Sequence, residues 1–324
     1  MRAFRVHAFD GAAGLDIIAP PAPAPGEVLL RIAACGLNFA DLLMLKGQYQ
    51  ERPDPPFTLG MEVAGTVEGL GDGVGGLRPG DRVAVFAGQG GLAERGCFPA
   101  DRCVVLPDSM PFTHAAAFMI AYGTSHLALG HRARLQPGET LVVTGAAGGV
   151  GLTAVEIGHA MGARVIAVAR GADKLAVAKA AGADHLIDSD TTSDLRKALK
   201  ALGGVDVVYD AVGGETFMAA LRAANPEGRL IPIGFAGGGV PQIPANLLLV
   251  KNLSVLGVYW GGYMGFRPEI VRSSLAELLA MYTAGRLKPH VSHALPLDQT
   301  EAALELLRAR KSTGKVVVVM DPAA

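Results

Sequence analysis

The sequence predicts an α/β protein of two domains, one built mainly of short strands and one built around a parallel sheet. Three observations support this fold class. The 324 residues suffice for two ordinary domains, and half of them are apolar. The 43 glycines suit a protein with many tight turns. Finally, a region of short strands gives way along the chain to alternating strands and helices.

The first region, up to about residue 111, contains short apolar runs separated by turn-forming pairs. Runs at residues 27–32 and 81–86 follow Pro25-Gly26 and Pro79-Gly80, and a similar run occupies residues 62–67. One short helix is expected at residues 39–46. This pattern predicts a small β-barrel or sandwich.

From about Tyr122 the sequence alternates between strand and helix patterns, which predicts a parallel sheet with right-handed crossovers. Residues 247–259 are expected to form the strand that ends this sheet. The other expected strands are residues 140–144, 164–169, 185–187, 205–209, 228–233 and 315–320. The expected helices are residues 174–181, 193–201, 215–223, 268–284 and 300–310, together with one that follows the glycine-rich loop and ends at Met161.

The loop after residues 140–144 has the composition of a dinucleotide-binding loop. Compared with the pattern G-x-G-x-x-G, Ala146 stands at the first glycine, and Gly148 and Gly151 fill the second and third. Gly148 lets the backbone approach a pyrophosphate, and Gly151 lets the helix pack close to the strand. A plain tight turn is the alternative, but the position between a strand and a helix favours cofactor binding. The predicted loop contacts are Ala146, Ala147, Gly148, Gly149, Val150 and Gly151.

The end of the second strand of this sheet distinguishes the two nicotinamide cofactors. An acidic residue there binds the ribose 2′-hydroxyl of NAD, whereas this chain has Arg170, with Lys174 four residues later. A guanidinium binds a 2′-phosphate bidentately. The sequence therefore favours NADPH, and the alternative is that both residues are ordinary surface cations.

Charge and composition argue against several other classes of protein. The 29 basic and 30 acidic residues give a net charge of -1, which leaves no basic surplus for nucleic acid. No apolar run approaches the ~20 residues of a membrane span, and the first ten residues lack the apolar core of a signal peptide. Cys35, Cys97 and Cys103 are too few for a disulfide framework. We therefore expect a cytoplasmic protein that acts on a small molecule, without a membrane or nucleic-acid partner.

Six short segments follow one another in a characteristic order along nearly the whole chain, at residues 35–41, 59–65, 77–83, 146–151, 206–214 and 314–318. Their order and spacing resemble the quinone oxidoreductase (zeta-crystallin) branch of the medium-chain dehydrogenase/reductases. The resemblance implies a GroES-like catalytic domain of residues 1–121 and 259–324, with a Rossmann NADPH-binding domain inserted at residues 122–258. It also implies an active-site cleft between the domains and a homodimer joined through residues 247–259.

The same resemblance bears on metal binding. Zinc alcohol dehydrogenases of this superfamily bind the catalytic zinc through a cysteine and a histidine at positions that are here Asn38 and Met61. An amide and a thioether are poor zinc ligands. Those enzymes hold a structural zinc with four cysteines, where this chain has only Cys97 and Cys103. We therefore expect no metal, and Cys35 is interpreted as a small core residue.

Without a Lewis acid, the expected substrate is already activated for hydride addition, as a quinone or a conjugated carbonyl compound is. Negative charge then gathers on the substrate oxygen, which needs a hydrogen-bond donor. Asn38 is the predicted donor, because the resemblance places the zinc-ligand position at the reacting centre. Tyr49 resembles the tyrosine that lines the substrate cleft in this family. Packing or turn roles are the alternative for both, and Asp41 is expected to hold its loop together.

The remaining cofactor contacts follow from the resemblance alone. Thr124 is expected on the nicotinamide side, and Val212 follows a sheet strand that ends near the cofactor. Gly234 and Phe235 are expected near the nicotinamide ribose. Asn252, Gly314 and Lys315 are further candidates near the cleft.

Two alternative functions remain open. An enoyl or 2-alkenal reductase, including one for enoyl-CoA thioesters, shares the glycine loop, the lost zinc ligands and the hydride step. A protein of a different class would bind NADPH without turnover, as zeta-crystallins show that the fold can do. Assays of NADPH oxidation with quinones, enones and enoyl thioesters separate the three.

Overall fold

A computed structural model describes residues 1–9 and 13–320 of the chain. The chain forms two compact units. The first unit combines Met1–Ile120 with the chain from Pro289 onward, and the second is Ala121–Lys288. The second unit is therefore an insertion in the first, and the predicted α/β organisation is confirmed.

The strands are β1 (Arg2–Val6), β2 (Ala13–Ile17), β3 (Glu27–Leu37), β4 (Phe57–Thr58), β5 (Glu62–Leu70), β6 (Arg82–Phe86), β7 (Arg95–Pro99), β8 (Cys103–Val105), β9 (Thr140–Thr144), β10 (Arg164–Ala169), β11 (His185–Asp188), β12 (Val205–Asp210), β13 (Ala224–Pro232), β14 (Ser254–Val255), β15 (Val291–Pro296) and β16 (Lys315–Val319). The helices are α1 (Phe39–Met44), α2 (Phe112–Ala116), α3 (Met119–His126), α4 (Gly149–Ala160), α5 (Ala172–Ala180), α6 (Leu195–Ala201), α7 (Gly214–Ala223), α8 (Ala245–Lys251), α9 (Trp260–Phe266), α10 (Pro268–Thr283) and α11 (Thr300–Arg308). Over residues 1–9 and 13–320, no helix combines the length and the apolar character that crossing a bilayer requires.

The first unit is built on a seven-stranded sheet. Its strand order is β15-β16-β3-β5-β6-β8, and β7 also pairs with β3. The pairs are antiparallel except for β15 with β16. In β3, Val28, Leu30 and Ile32 are buried while Arg31 is exposed, as expected for a strand with one face on the core. The strands and the short helix predicted for this region are confirmed as β3, β5, β6 and α1.

The second unit is built on a parallel six-stranded sheet with the order β11-β10-β9-β12-β13-β14. All five residues of β9 are buried, as is typical of a parallel strand covered on both faces. Helix α4 contacts β9 and β10, α5 contacts β10 and β11, and α7 contacts β12 and β13. The predicted alternation of strands and helices is confirmed from β9 to β13.

The prediction of a single strand over residues 247–259 is wrong in its extent, although the strand that ends the sheet lies within this range. Residues 247–251 belong to helix α8, and the sheet ends with the two residues of β14. Short apolar runs fit a helix as well as a strand, and leucine favours the helix. Leu247 and Leu248 pack against the core, and Asn252 ends the helix in the left-handed conformation with φ 54°.

The second unit extends past the expected boundary at residue 258. Residues 259–288 form α9, α10 and the segment after them, and they belong to the second unit. The physical reason is burial against α3, because Ser274 Oγ lies 2.8 Å from His126 Nδ1 and Trp260 lies against Gly123. In addition, the Lys288 backbone N–H donates to Glu156 Oε1 on α4 at 2.5 Å.

Candidate functional site

The glycine loop lies between β9 and α4, where the sequence predicts it. Gly145 has φ +64°, and the Ala146 N–H donates to the Val168 carbonyl on β10 at 3.1 Å. A Cβ on Gly151 would lie only 2.1 Å from the Gly145 carbonyl oxygen, whereas a Cβ on Gly148 would lie 3.4 Å from the same atom. The close approach of α4 to the loop therefore requires glycine at position 151.

Helix α4 is twelve residues long, and its N-cap is Gly148, which has no side chain to cap it. The first N–H groups of a helix have no acceptor within the helix, and the helix dipole adds positive potential there. Gly148 is exposed, and Gly149 and Val150 are half-buried. This end of α4 therefore fits the diphosphate of a dinucleotide.

The loops after β12 and β13 meet the glycine loop at the carboxyl edge of the sheet. Val212 follows β12, and one of its methyl groups lies 3.4 Å from where a Cβ on Gly145 would stand. The Gly234 N–H donates to the Asp210 carbonyl at 3.3 Å, and Phe235 is 41% exposed. The structure thus brings Val212, Gly234 and Phe235 to the same edge as the loop.

Asp210, at the end of β12, organises this edge. Its carboxylate accepts hydrogen bonds from Thr144 Oγ1 at 2.5 Å and from the Gly213 N–H at 2.7 Å. Burial raises the pKa of Asp210, and the hydrogen bonds oppose that shift. The motif around residues 206–214 pointed to this segment, but nothing in the sequence indicated that Asp210 ties β12 to β9.

Arg170 is exposed directly after β10, and Lys174 is half-buried in the first turns of α5. Beside them lies an acid, Asp188, that no sequence motif indicated. Asp188 ends β11, and its Oδ1 accepts from the Gly171 and Asp190 N–H groups, each at 3.0 Å. These bonds lower the pKa of Asp188. The carboxylate therefore fixes the turn that carries Arg170. The sequence feature that could have indicated this contact is the acidic residue at the end of the third predicted strand of the sheet.

Thr124 is buried in α3, beside a network of hydroxyl groups that the sequence analysis also missed. Ser125 Oγ lies 2.8 Å from Thr153 Oγ1 and 2.9 Å from the Tyr209 hydroxyl. It also donates to the Val150 carbonyl at 3.0 Å. Burial raises the pKa of Tyr209. The network ties α3 and β12 to the first turn of α4.

Asn38 lies in the first unit, at the end of β3 and directly before α1. Its Nδ2 donates to Glu62 Oε1 at 3.0 Å and to the Gly36 carbonyl at 3.3 Å. Its Oδ1 accepts from Lys315 Nζ at 2.7 Å. The amide that the sequence nominates as a donor to substrate therefore already has an acceptor for each of its protons. The contact with Gly36 is the longer and weaker of the two.

Glu62 and Lys315 form a buried ion pair beside Asn38. Lys315 Nζ lies 2.6 Å from Glu62 Oε1, and the side chains are 5% and 1% exposed. Glu62 Oε2 accepts from the Ile120 N–H at 2.9 Å. From the sequence, Lys315 was only a further candidate near the cleft and Glu62 only a residue that flanks Met61. Their pairing depends on strands that are far apart in the sequence.

Asp41 and Cys35 complete the buried surroundings of Asn38. Asp41 Oδ2 accepts from the Asn38 backbone N–H at 2.7 Å, which agrees with the loop-holding role expected of it. Burial raises the pKa of Asp41 to about 7 and also raises the pKa of the Cys35 thiol. A neutral, buried thiol fits a core residue. Tyr49 is half-buried in the bend after α1.

The fold and these sites define a medium-chain dehydrogenase/reductase, an oxidoreductase. Residues 24–108 match the family described as "Alcohol dehydrogenase GroES-like domain", and residues 149–280 match the family described as "Zinc-binding dehydrogenase". The GroES-like and Rossmann assignments are thereby confirmed.

Comparison with individual proteins identifies the family within this superfamily. The quinone oxidoreductase-like protein 2 homolog of Nematostella vectensis is 42% identical over 297 residues, which are 90% of this chain and 81% of that protein. The chain belongs to the quinone oxidoreductase family. The quinone oxidoreductase of Thermus thermophilus, solved also with NADPH, is 36% identical with a TM-score of 0.86, covering 99% of this chain and 100% of that one. The Escherichia coli enzyme in complex with NADPH is 29% identical with a TM-score of 0.89, covering 98% and 99%.

One of the matched families is described as zinc-binding, but the residues here do not fit a zinc ion. The amide of Asn38 is engaged by Glu62 and Lys315, and Met61 offers only a buried thioether. The ammonium of Lys315 already pairs with the nearby carboxylate of Glu62. Within residues 1–9 and 13–320, no three His, Cys, Asp or Glu side chains are grouped so that they could hold a metal ion.

Proposed function

We propose that the chain is an NADPH-dependent reductase that transfers hydride to a quinone or another conjugated carbonyl acceptor without zinc. The observation that carries the proposal is the glycine loop, where the missing side chain of Gly151 lets α4 pack so close to the loop that a Cβ would lie 2.1 Å from the Gly145 carbonyl oxygen. The resulting helix N-terminus is suited to a diphosphate. The two solved quinone oxidoreductases that hold NADPH support the choice of cofactor.

The second unit supplies the cofactor contacts in this proposal. Backbone groups of the glycine loop bind the diphosphate, and Arg170 with Lys174 binds the 2′-phosphate. Val212, Gly234, Phe235 and Thr124 contact the nicotinamide half. When bound, NADPH supplies the hydride. The hydroxyl network of Ser125 keeps α3 and α4 in register, so that the cofactor binds to a preformed surface.

The first unit supplies the donor to the substrate oxygen. As hydride reaches the substrate, negative charge gathers on that oxygen, and Asn38 Nδ2 donates a hydrogen bond to it. The bond from Nδ2 to the Gly36 carbonyl, at 3.3 Å, is the one that the substrate oxygen replaces. The stronger bond to Glu62 is kept. Tyr49 positions the substrate by stacking or hydrogen bonding.

The test is NADPH oxidation by the purified full-length chain with a panel of quinones, a panel of enones and a panel of enoyl thioesters. Turnover of quinones supports the proposal. Turnover restricted to enones or enoyl thioesters would keep the hydride step but make the protein an alkene reductase and not a quinone reductase, and NADPH binding without oxidation would make it a binding protein. A chain that binds neither nicotinamide dinucleotide contradicts every version. Elemental analysis must also show no stoichiometric zinc, and chelators must leave turnover unchanged.

We further propose a cytoplasmic homodimer joined at the β14 edge of the six-stranded sheet. The exposed Leu249 and Val250, at 76% and 67%, lie just before that edge strand and supply apolar surface for the contact. The cysteines are free thiols, which suits a reducing compartment. Analytical ultracentrifugation tests the assembly: Leu249→Asp should convert a dimer to a monomer, and a monomeric wild type contradicts it.

A further inference from the structure

Three neighbouring strand ends bring Asn38, Glu62 and Lys315 together. Strand β16 pairs with β3 so that Val316 lies opposite Leu37, and the next position of that register sets Lys315 beside Asn38. Strand β5 pairs with β3 so that Glu62 lies opposite Gly36. The backbone at Lys315 is held as well, because its N–H donates to the His290 carbonyl at 2.9 Å. The arrangement follows from sheet register and not from a flexible side chain that happens to reach its partner.

Stability alone gives no reason for this ion pair. Removing an ammonium and a carboxylate from water costs several kcal/mol per ion, and replacing a buried pair by apolar residues is often neutral or stabilising. Lys315 is nonetheless the one lysine or arginine among the buried residues of the described chain. The free-energy cost of burying the Lys315 ammonium is expected if the ammonium has a role in the neighbouring functional site.

The ammonium fixes the orientation of the Asn38 amide. Lys315 Nζ lies 2.7 Å from Asn38 Oδ1, so a rotated amide would place its NH2 group against a cation. The observed orientation directs Nδ2 to Glu62 Oε1 and the Gly36 carbonyl. In addition, a cation bound to an amide oxygen polarises the amide and strengthens its N–H groups as donors.

We propose that Lys315 is a positioning residue for hydride transfer, which orients and polarises the Asn38 amide so that Nδ2 donates to the substrate oxygen, while Glu62 holds the ammonium in place. This inference rests on the proposed function. The ammonium transfers no proton and does not touch the substrate. It supplies, through one amide, part of the positive charge that zinc supplies directly in the alcohol dehydrogenases.

The test compares Lys315→Met, which removes the charge and keeps most of the stem, with Lys315→Arg and with the exposed control Lys311→Met. Lys315→Met should lower kcat for a quinone about 30-fold, with NADPH affinity unchanged. Lys315→Arg should recover part of the loss, and Lys311→Met should match the wild type. In an Asn38→Ala background, Lys315→Met should lower kcat less than about 3-fold, because the amide through which Lys315 affects the substrate is already absent. Equal losses in the two backgrounds would overturn the proposal.

Lys315→Met leaves Glu62 buried without its partner and can fail to fold for that reason. The variant Lys315→Met with Glu62→Gln removes both charges and should fold. It should keep the low kcat, and wild-type kcat in this folded variant would overturn the proposal.

A readout without turnover separates this inference from the proposed function. The side-chain amide resonances of Asn38, measured by NMR, should shift in Lys315→Met and stay unchanged in Lys311→Met. If none of the quinones, enones and enoyl thioesters supports NADPH oxidation by the wild type, the proposed function fails. Shifted resonances would then still support the orienting role of Lys315, and unchanged resonances would overturn it.

Discussion

In the proposed function, the glycine loop of the second unit and the Asn38 site of the first unit stabilise negative charge in opposite ways. The loop uses backbone N–H groups from a few consecutive residues and depends on the absence of side chains. The Asn38 site uses side chains, and Lys315 comes from 277 positions further along the chain. A site of the first kind is visible in a short stretch of sequence, whereas a site of the second kind exists only once the strands have paired.

The largest effect is expected from adding a side chain to the backbone site. In Gly151→Ala the new Cβ would lie 2.1 Å from the Gly145 carbonyl oxygen, so α4 must move away from the loop. NADPH binding should weaken at least ~100-fold, and the free energy of unfolding should fall by about 2 kcal/mol. Fluorescence titration and denaturant unfolding measure the two.

The matched control is Gly130→Ala, where a Cβ meets no atom within 4 Å. It should bind NADPH as the wild type does. If Gly151→Ala did the same, the loop would not be the diphosphate site.

Removing a side chain should have the next largest effect, and only at the first unit. Asn38→Ala deletes the predicted donor but keeps the bond from its backbone N–H to Asp41. We expect kcat to fall about 100-fold, because that is the usual cost of one lost donor to a developing oxyanion. NADPH affinity, measured by titration, should not change.

The exposed Gln48→Ala is the control for Asn38→Ala and should leave kcat unchanged. If Asn38→Ala lowered NADPH affinity as much as kcat, the proposed division between a substrate site in the first unit and a cofactor site in the second would be wrong.

A pH effect is expected from the buried acid of the first unit. Burial raises the pKa of Asp41 from 3.8 to about 7, so the folded chain keeps a proton that the unfolded chain loses. The stability from this group is complete below the unfolded pKa and is lost as the pH rises through about 7. From about pH 5 to about pH 8, the wild type should lose about 2 kcal/mol of unfolding free energy relative to Asp41→Asn. Denaturant unfolding at both pH values measures the difference, and parallel pH profiles would contradict the burial effect.

The smallest effect is expected where a side chain supplements the backbone site. Arg170→Ala should weaken NADPH about 10-fold and leave NADH unchanged, because only NADPH carries the 2′-phosphate. Titration with both cofactors measures the preference. Arg196→Ala, which removes another exposed cation from the same unit, should alter neither affinity, and equal losses for the two cofactors would reject the assignment of Arg170.

Local patterns account for most of what the sequence predicts correctly. Strand β9 is an apolar run followed by glycines, and both features lie within about a dozen residues of each other. Residues 247–259 show the limit of such patterns, because the same apolar run satisfies a helix or a strand until tertiary packing decides. The structure makes the end of α8 from residues 247–251 and the short strand β14 from Ser254–Val255.

The side-chain partnerships were beyond sequence reasoning for a different reason. Asn38 was nominated by resemblance, but its engagement by Glu62 and Lys315 follows from the pairing of β3 with β5 and β16. Asp188 likewise reaches the Gly171 N–H because β11 lies beside β10. Register between distant strands sets these contacts, and no single segment encodes it.

The bond from the Ile120 N–H to Glu62 has a practical consequence. At 2.9 Å from Glu62 Oε2, this amide proton is shielded from solvent as long as the carboxylate stays in place. Its rate of exchange with deuterated water therefore reports on the integrity of the buried charges. A single amide thus offers a spectroscopic gauge of the charge cluster that needs neither cofactor nor turnover.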